Sequence, residues 1–156
     1  MKSVKSNKGF TLVELLAVLV VLALLMVLAL PAVLNASTNA QRNAFQQQVR
    51  KYVEAAETKY NTASIEGGTP ASCYSTLDLM PDLTEYHGCV IIGGDGTTTS
   101  ASVYGNSYYV EGVTRKQIYG SIASTTADDK FVPLSITAEN KDSASSTVKA
   151  KCSCFK

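Results

Sequence analysis

Hydrophobic and polar positions divide the chain into three stretches. Residues 10–34, FTLVELLAVLVVLALLMVLALPAVL, form a run of 25 residues interrupted only by Thr11, Glu14 and Pro31. That is long enough to cross a bilayer as a helix, for which about 20 apolar residues suffice. The pattern then turns amphipathic. Between residues 35 and 62, Phe45, Val49, Tyr52 with Val53, Ala56 and Tyr60 recur at helical spacing, while Arg42, Arg50, Lys51, Glu54, Glu57 and Lys59 take other faces. Alanines and glutamines between them favour the helix. One helix over residues 11–62 is predicted, about 80 Å long at 1.5 Å per residue. Gly67-Gly68-Thr69-Pro70 stops it.

Beyond residue 70 the periodicity shortens. Residues 71–86, with Cys73 and Pro81, read as a loop. Residues 89–92 are apolar and β-branched, and Gly93-Gly94-Asp95-Gly96 turns the chain after them. Residues 102–104 and 107–113 flank Gly105-Asn106, a two-residue hairpin signal. Residues 121–130 read as a polar connection. Residues 131–137 and 147–155 are expected to be the last strands, with residues 142–145 as their turn. The fold class is α+β: a long N-terminal helix packed by its Phe45, Val49, Val53 and Tyr60 stripe on an antiparallel sheet of four or five strands, a lollipop in outline. The expected divisions are a basic leader at 1–9, an apolar helix at 10–34, its amphipathic continuation at 35–66 and a β-rich part at 67–156.

Glu14 is the residue that an ordinary membrane anchor does not explain. An ionised carboxylate inside an apolar span is costly, so a role and a partner are required of it. A secretory signal peptide has an apolar core of only about 7–15 residues before its cleavage site. A plain anchor accounts for the cytoplasmic charges Lys2, Lys5 and Lys8 but not for Glu14. Lys8-Gly9-Phe10-Thr11-Leu12-Val13-Glu14 resembles the processing and methylation motif of type IV pilins and their relatives. The resemblance covers the first quarter of the chain and rests on a combination: basic leader, Gly-Phe-Thr-Leu, glutamate and apolar run.

The resemblance implies cleavage between Gly9 and Phe10 by a prepilin peptidase, N-methylation of Phe10, and a part for Glu14 in filament assembly. It implies as partners the peptidase and assembly machinery, the membrane before assembly, and other copies of the chain in a helical homopolymer. The precursor would lie in the inner or cytoplasmic membrane and the product in a filament on the cell surface. Pro31 removes a backbone hydrogen bond and predicts a helix kink. In the family the stretch before such a proline can lose its helical form on assembly; an ordinary tolerated membrane-helix kink is the other reading.

Composition changes this picture in two places. Removing the three leader lysines from 14 basic side chains leaves eleven against 13 acidic ones, so no basic excess points to nucleic acid. The four cysteines, Cys73, Cys89, Cys152 and Cys154, all lie in the outer part and point to an oxidising compartment. In a strand Cys152 and Cys154 would share a face, and bridging them to each other would strain the geometry. Bridges from Cys73 and Cys89 to that pair are therefore favoured, with a local Cys73–Cys89 loop as the alternative. Zinc ligation has the ligand count but lacks Cys-x-x-Cys knuckles, so no metal site is assigned.

Enzyme chemistry finds no footing. His87 is the single histidine, and no nucleophile–base pair can be drawn. Gly93-Gly94-Asp95-Gly96 lacks the Lys-Ser/Thr of a phosphate loop and reads as a turn. Calcium at Asp95 or Asp128-Asp129 is weaker than the reading of these as solvated loop carboxylates. No cofactor is expected. Two classes remain: a structural filament subunit, or a minor pilin or pseudopilin acting in DNA uptake, adhesion or secretion. For DNA, Lys149, Lys151 and Lys156 with Tyr74 or Tyr119 are the candidate contacts, unsupported by the overall charge.

Overall fold

A computed structural model describes residues 10–120, 134–135 and 141–155. Nine elements follow in order: helix α1 (Leu12–Ile65), strand β1 (Cys73–Ser75), helix α2 (Thr76–Leu79), strands β2 (His87–Ile92), β3 (Thr98–Tyr104) and β4 (Tyr108–Val113), helix α3 (Arg115–Tyr119), strand β5 (Leu134–Ser135) and helix α4 (Lys141–Lys151). The layout is α+β. Two compact units divide between Ala40 and Gln41.

The first unit is apolar helix without a core. From Phe10 to Leu34 every large hydrophobic side chain is exposed, Phe10 by 86% and Val20, the least, by 51%. Backbone helix continues through Pro31.

In the second unit the amphipathic stripe forms the core. Phe45, Val49, Tyr52, Val53 and Ala56 are buried against Val90, Ile92, Ala101, Val103, Val110 and Val113 of the sheet, with Tyr60 partly buried beside them. The helix ends where glycine demands it. Gly67 takes φ +75°, its N–H donates to the Ser64 carbonyl at 3.3 Å, and the Gly68 N–H donates to Ala63 at 3.0 Å. These paired bonds satisfy carbonyls that the last turn leaves open.

The sheet is antiparallel throughout, ordered β1-β2-β3-β4-β5. Alternation along each strand loads both faces. Val90 and Ile92 face α1, whereas Cys89 and Ile91 join Tyr104, Val148 and Cys152 in a second cluster. The β4 strand carries a bulge, with Ala101 opposite Val113 but Val103 opposite Val110. Gly112 supplies φ +60° there, and its N–H donates to Ser102 Oγ at 2.8 Å.

Four expectations need correction. Residues 71–86 are not wholly loop. Tyr74 reaches the core from β1, and the buried Thr76 hydroxyl donates to the carbonyls of Tyr86 (3.0 Å) and Gly88 (3.4 Å). The hairpin loop is one residue longer than predicted, since β3 ends at Tyr104 and β4 starts at Tyr108, with Gly105 N–H donating to the Tyr108 carbonyl at 2.9 Å. Residues 142–145 are no turn, and residues 147–151 are no strand: both lie in α4. Ala144, Val148 and Cys152, four apart, are buried as one helical stripe. Asp142 in the first turn and Lys149 and Lys151 in the last suit the helix dipole. Of the predicted strand at 131–137, Leu134–Ser135 is strand and the rest lies outside the described residues, as does the connection at 121–130.

Disulfides join Cys73 to Cys154 and Cys89 to Cys152, across 81 and 63 residues of sequence. The C-terminal pair sits in the turn after α4 rather than in a strand, so the two sulfurs reach different strands, β1 and β2. By chain-entropy arguments each long loop closed contributes about 4 kcal/mol. A Cys89→Ser, Cys152→Ser double variant should therefore melt well below the wild type. Thermal unfolding followed by circular dichroism, with and without reductant, checks this: an unchanged midpoint in the variant would refute it.

Candidate functional site

The helix of the first unit begins with Thr11 and Glu14 locked together. Thr11 precedes the first helical residue, and Glu14 is the third residue within the helix. The Thr11 backbone N–H donates to Glu14 Oε2 at 2.8 Å, and the Thr11 hydroxyl donates to the same oxygen at 2.9 Å. In return the Glu14 N–H donates to Thr11 Oγ1 at 3.3 Å. This reciprocal pairing is a capping box, which serves two N–H groups that have no partner inside the helix. An acid in the first turn also faces the positive end of the helix dipole. The Thr-x-x-Glu spacing was readable in the sequence; the unbroken apolar run around it drew attention to membrane cost instead.

Only Oε2 is engaged. Among the described residues, Glu14 Oε1 accepts no hydrogen bond, and the site stands on an exposed helix end. The carboxylate thus caps its own helix through one oxygen and leaves the other without a partner among the described residues. Phe10 lies directly before the cap and is 86% exposed; Gly9 and the leader lysines lie outside the described residues. An 18-residue window of α1 reaches a mean hydropathy of 3.1 with none of it buried, a helix long and apolar enough to cross a membrane by length and composition.

The family described as the prokaryotic N-terminal methylation motif matches residues 4–30, which include the leader, Phe10, the Thr11–Glu14 cap and most of the apolar run. This is the N-terminal signature of type IV pilin-like proteins. The match accounts for the parts together: a class III prepilin leader implies processing by a prepilin peptidase and an anchored precursor, and the pilin type is a structural one rather than an enzyme class. Neither the curated proteins nor the solved structures give a match to this chain.

Other residues singled out in the sequence are scattered. Tyr74 is buried in the core beneath Lys59, while Lys149 and Lys151 lie on α4, across the sheet; Lys149 sits over Phe155 and Lys151 pairs loosely with Glu111 at 3.9 Å. Tyr119 is held between the guanidinium groups of Arg50 (5.4 Å) and Arg115 (4.8 Å) and donates its hydroxyl to Glu54 at 2.9 Å. Burial, then the Glu54 carboxylate, pushes its phenol up to about 12. Tyr74 is thus taken up by the core, and Lys156 lies outside the described residues. His87 packs on the Tyr104 ring at 5.3 Å. Asp95 closes its own turn on Thr97, at 3.1 Å to the N–H and 2.8 Å to the hydroxyl. The sulfurs of Cys73, Cys89 and Cys154 lie within 4.8 Å of one another, but all are held in disulfides.

Proposed function

We propose that the chain is a structural subunit of a type IV pilus or related filament, inserted by its apolar helix, cut between Gly9 and Phe10, methylated on Phe10 and assembled through residues 10–34. The observation that carries this reading is the coincidence of the methylation motif at 4–30 with a helix whose apolar side chains from Phe10 to Leu34 stand exposed among the described residues. Such a surface needs lipid first and other apolar helices afterwards. Its one carboxylate sits at the end where cleavage would create an amine.

The test is mass spectrometry of filaments sheared from the cell surface. The expected product is an abundant chain starting at Phe10 and heavier by one methyl group. A minor subunit of the same type would appear only in traces. Replacing Gly9 by leucine should leave uncut precursor in the membrane fraction, because a peptidase pocket that accepts glycine has no room for the larger side chain. Mature protein starting beyond Leu34 would mark an ordinary signal peptide and overturn the reading.

A further inference from the structure

The second unit contains a cavity of about 250 Å³ to which filament assembly gives no role. Three aromatic residues line it, but Phe45 and Tyr108 are buried at 4% and 7% exposure, so the half-buried Tyr86 is the ring open to the cavity. Phe45 of α1 lies with its ring centre 6.1 Å from that of Tyr86 and 5.9 Å from that of Tyr108. Both tyrosines are fixed from behind. Tyr86 rests on the Gly105 backbone, where an added methyl group would come within 2.9 Å of the ring, and against Tyr52 at 6.3 Å. The Tyr108 hydroxyl donates to Gln41 Oε1 at 3.4 Å. The wall is therefore formed before any ligand arrives, which lowers the ordering cost of binding.

The rim is polar and of mixed type. Gln41 and Asn106 each bring an amide, Ser107 a hydroxyl and Glu85 a carboxylate. Among the described residues Glu85, Asn106 and Ser107 use none of these side-chain groups on another part of the chain, and no lysine or arginine lines the cavity.

This set of groups selects a ligand class. An anion is opposed by Glu85 and met by no cation. A wholly apolar ligand would leave the amides, hydroxyl and carboxylate without partners as it displaced water. An organic cation suits the rings and Glu85, yet its cationic centre offers no acceptor to the amide N–H groups, which need one. A neutral ring with one apolar face and a fringe of hydroxyls uses every group. Its C–H face lies on the half-buried Tyr86 ring, and each hydroxyl both donates and accepts. The volume lies just below the 300–1,000 Å³ of drug-sized sites, the scale of a single ring.

We propose that this cavity binds one pyranose unit of a carbohydrate. The site lies wholly within the unit that begins at Gln41 and does not rest on filament assembly. It can therefore be tested on unassembled protein.

The experiment uses the full chain in a polyoxyethylene detergent, since sugar-headed detergents would compete. Saturation-transfer difference NMR is recorded with methyl glycosides of glucose, galactose, mannose and N-acetylglucosamine, and with sorbitol and choline as comparators. At least one glycoside should bind saturably, with the strongest transfer to protons on one ring face, while sorbitol and choline show none. Asn106→Ala, in an exposed loop, should weaken that binding about two- to tenfold, one hydrogen bond's worth. Tyr86→Leu should weaken it further, with circular dichroism confirming that the variant folds. Absence of binding by all four glycosides would overturn the proposal, as would unchanged affinity in Asn106→Ala. Preferential binding of choline would identify a cation site instead and overturn it equally.

Discussion

Gly88→Ala is expected to destroy the folded second unit. Gly88 takes φ +155° in β2, and a Cβ placed there would lie 2.1 Å from the Ser102 carbonyl oxygen and 2.7 Å from the Val103 Cα. Both atoms are backbone of the neighbouring strand β3, so no side chain can swing aside. The β2–β3 pair would have to part at the register Gly88↔Val103, at the centre of the sheet. Overpacking and a backbone conformation closed to L side chains together cost about 3–5 kcal/mol. That approaches the whole stability of many domains, about 5–15 kcal/mol. The loss would spread, because Cys89 beside it carries the bridge to Cys152 and the Gly88 carbonyl accepts from Thr76. Gly94→Ala is the control, since a Cβ at Gly94 meets nothing within 4 Å. Circular dichroism melts of the two variants should differ by a large drop for Gly88→Ala and almost nothing for Gly94→Ala. Equal midpoints would show that the strands have room to spare.

The sequence places Gly94 in the Gly93-Gly94-Asp95-Gly96 turn, but nothing in it marks Gly88 as a position closed to a side chain. Only the close approach of β3 shows that. The stripe from Phe45 to Tyr60 was legible because helical period acts within one element. The C-terminal helix was misread for the converse reason. Thr147-Val148 beside Cys152 looks strand-forming, and β-propensity in so short a stretch yields to tertiary context. The Ala144, Val148 and Cys152 spacing was the better guide, since burial against β3 and β4 selects one helix face.

The two candidate sites were unequally visible. Thr11 and Glu14 lie three residues apart, so motif and geometry coincide within one turn. The cavity gathers side chains from residues 41–45, 85–86 and 106–108, three segments brought together only when the sheet docks on α1. No spacing rule links them. Glu85 in particular has no mark in the sequence beyond being an acid next to a tyrosine.

Glu14→Val is expected to leave insertion and cleavage intact while almost eliminating filaments. Processing as proposed gives Phe10 a positive amine next to a carboxylate whose Oε2 is committed to Thr11 and whose Oε1 is unengaged among the described residues. Within one subunit the cap already satisfies the helix start, so the free oxygen is left for a neighbour. In the proposed filament the Glu14 of an incoming subunit would meet the Phe10 amine of the subunit already docked. Surrounding apolar helices would exclude water there and strengthen the attraction, whereas an unpaired carboxylate in the same place is penalised. On this proposal the pair would fix axial register, because smooth apolar helices otherwise slide past one another at little cost. Valine removes both the charge and the cap. Glutamine separates them, since its amide oxygen can still accept from Thr11 as the third residue of a capping box. Glu14→Gln should therefore keep the helix start yet fail to assemble, nearly as badly as Glu14→Val. Neither change should hinder insertion, which apolar and neutral residues favour. The measurement compares membrane pools with sheared filaments for wild type and both variants. Normal filaments from Glu14→Val, with no other subunit supplying the bulk, would remove the carboxylate from assembly. Normal filaments from Glu14→Gln alone would assign its contribution to the cap rather than to the charge.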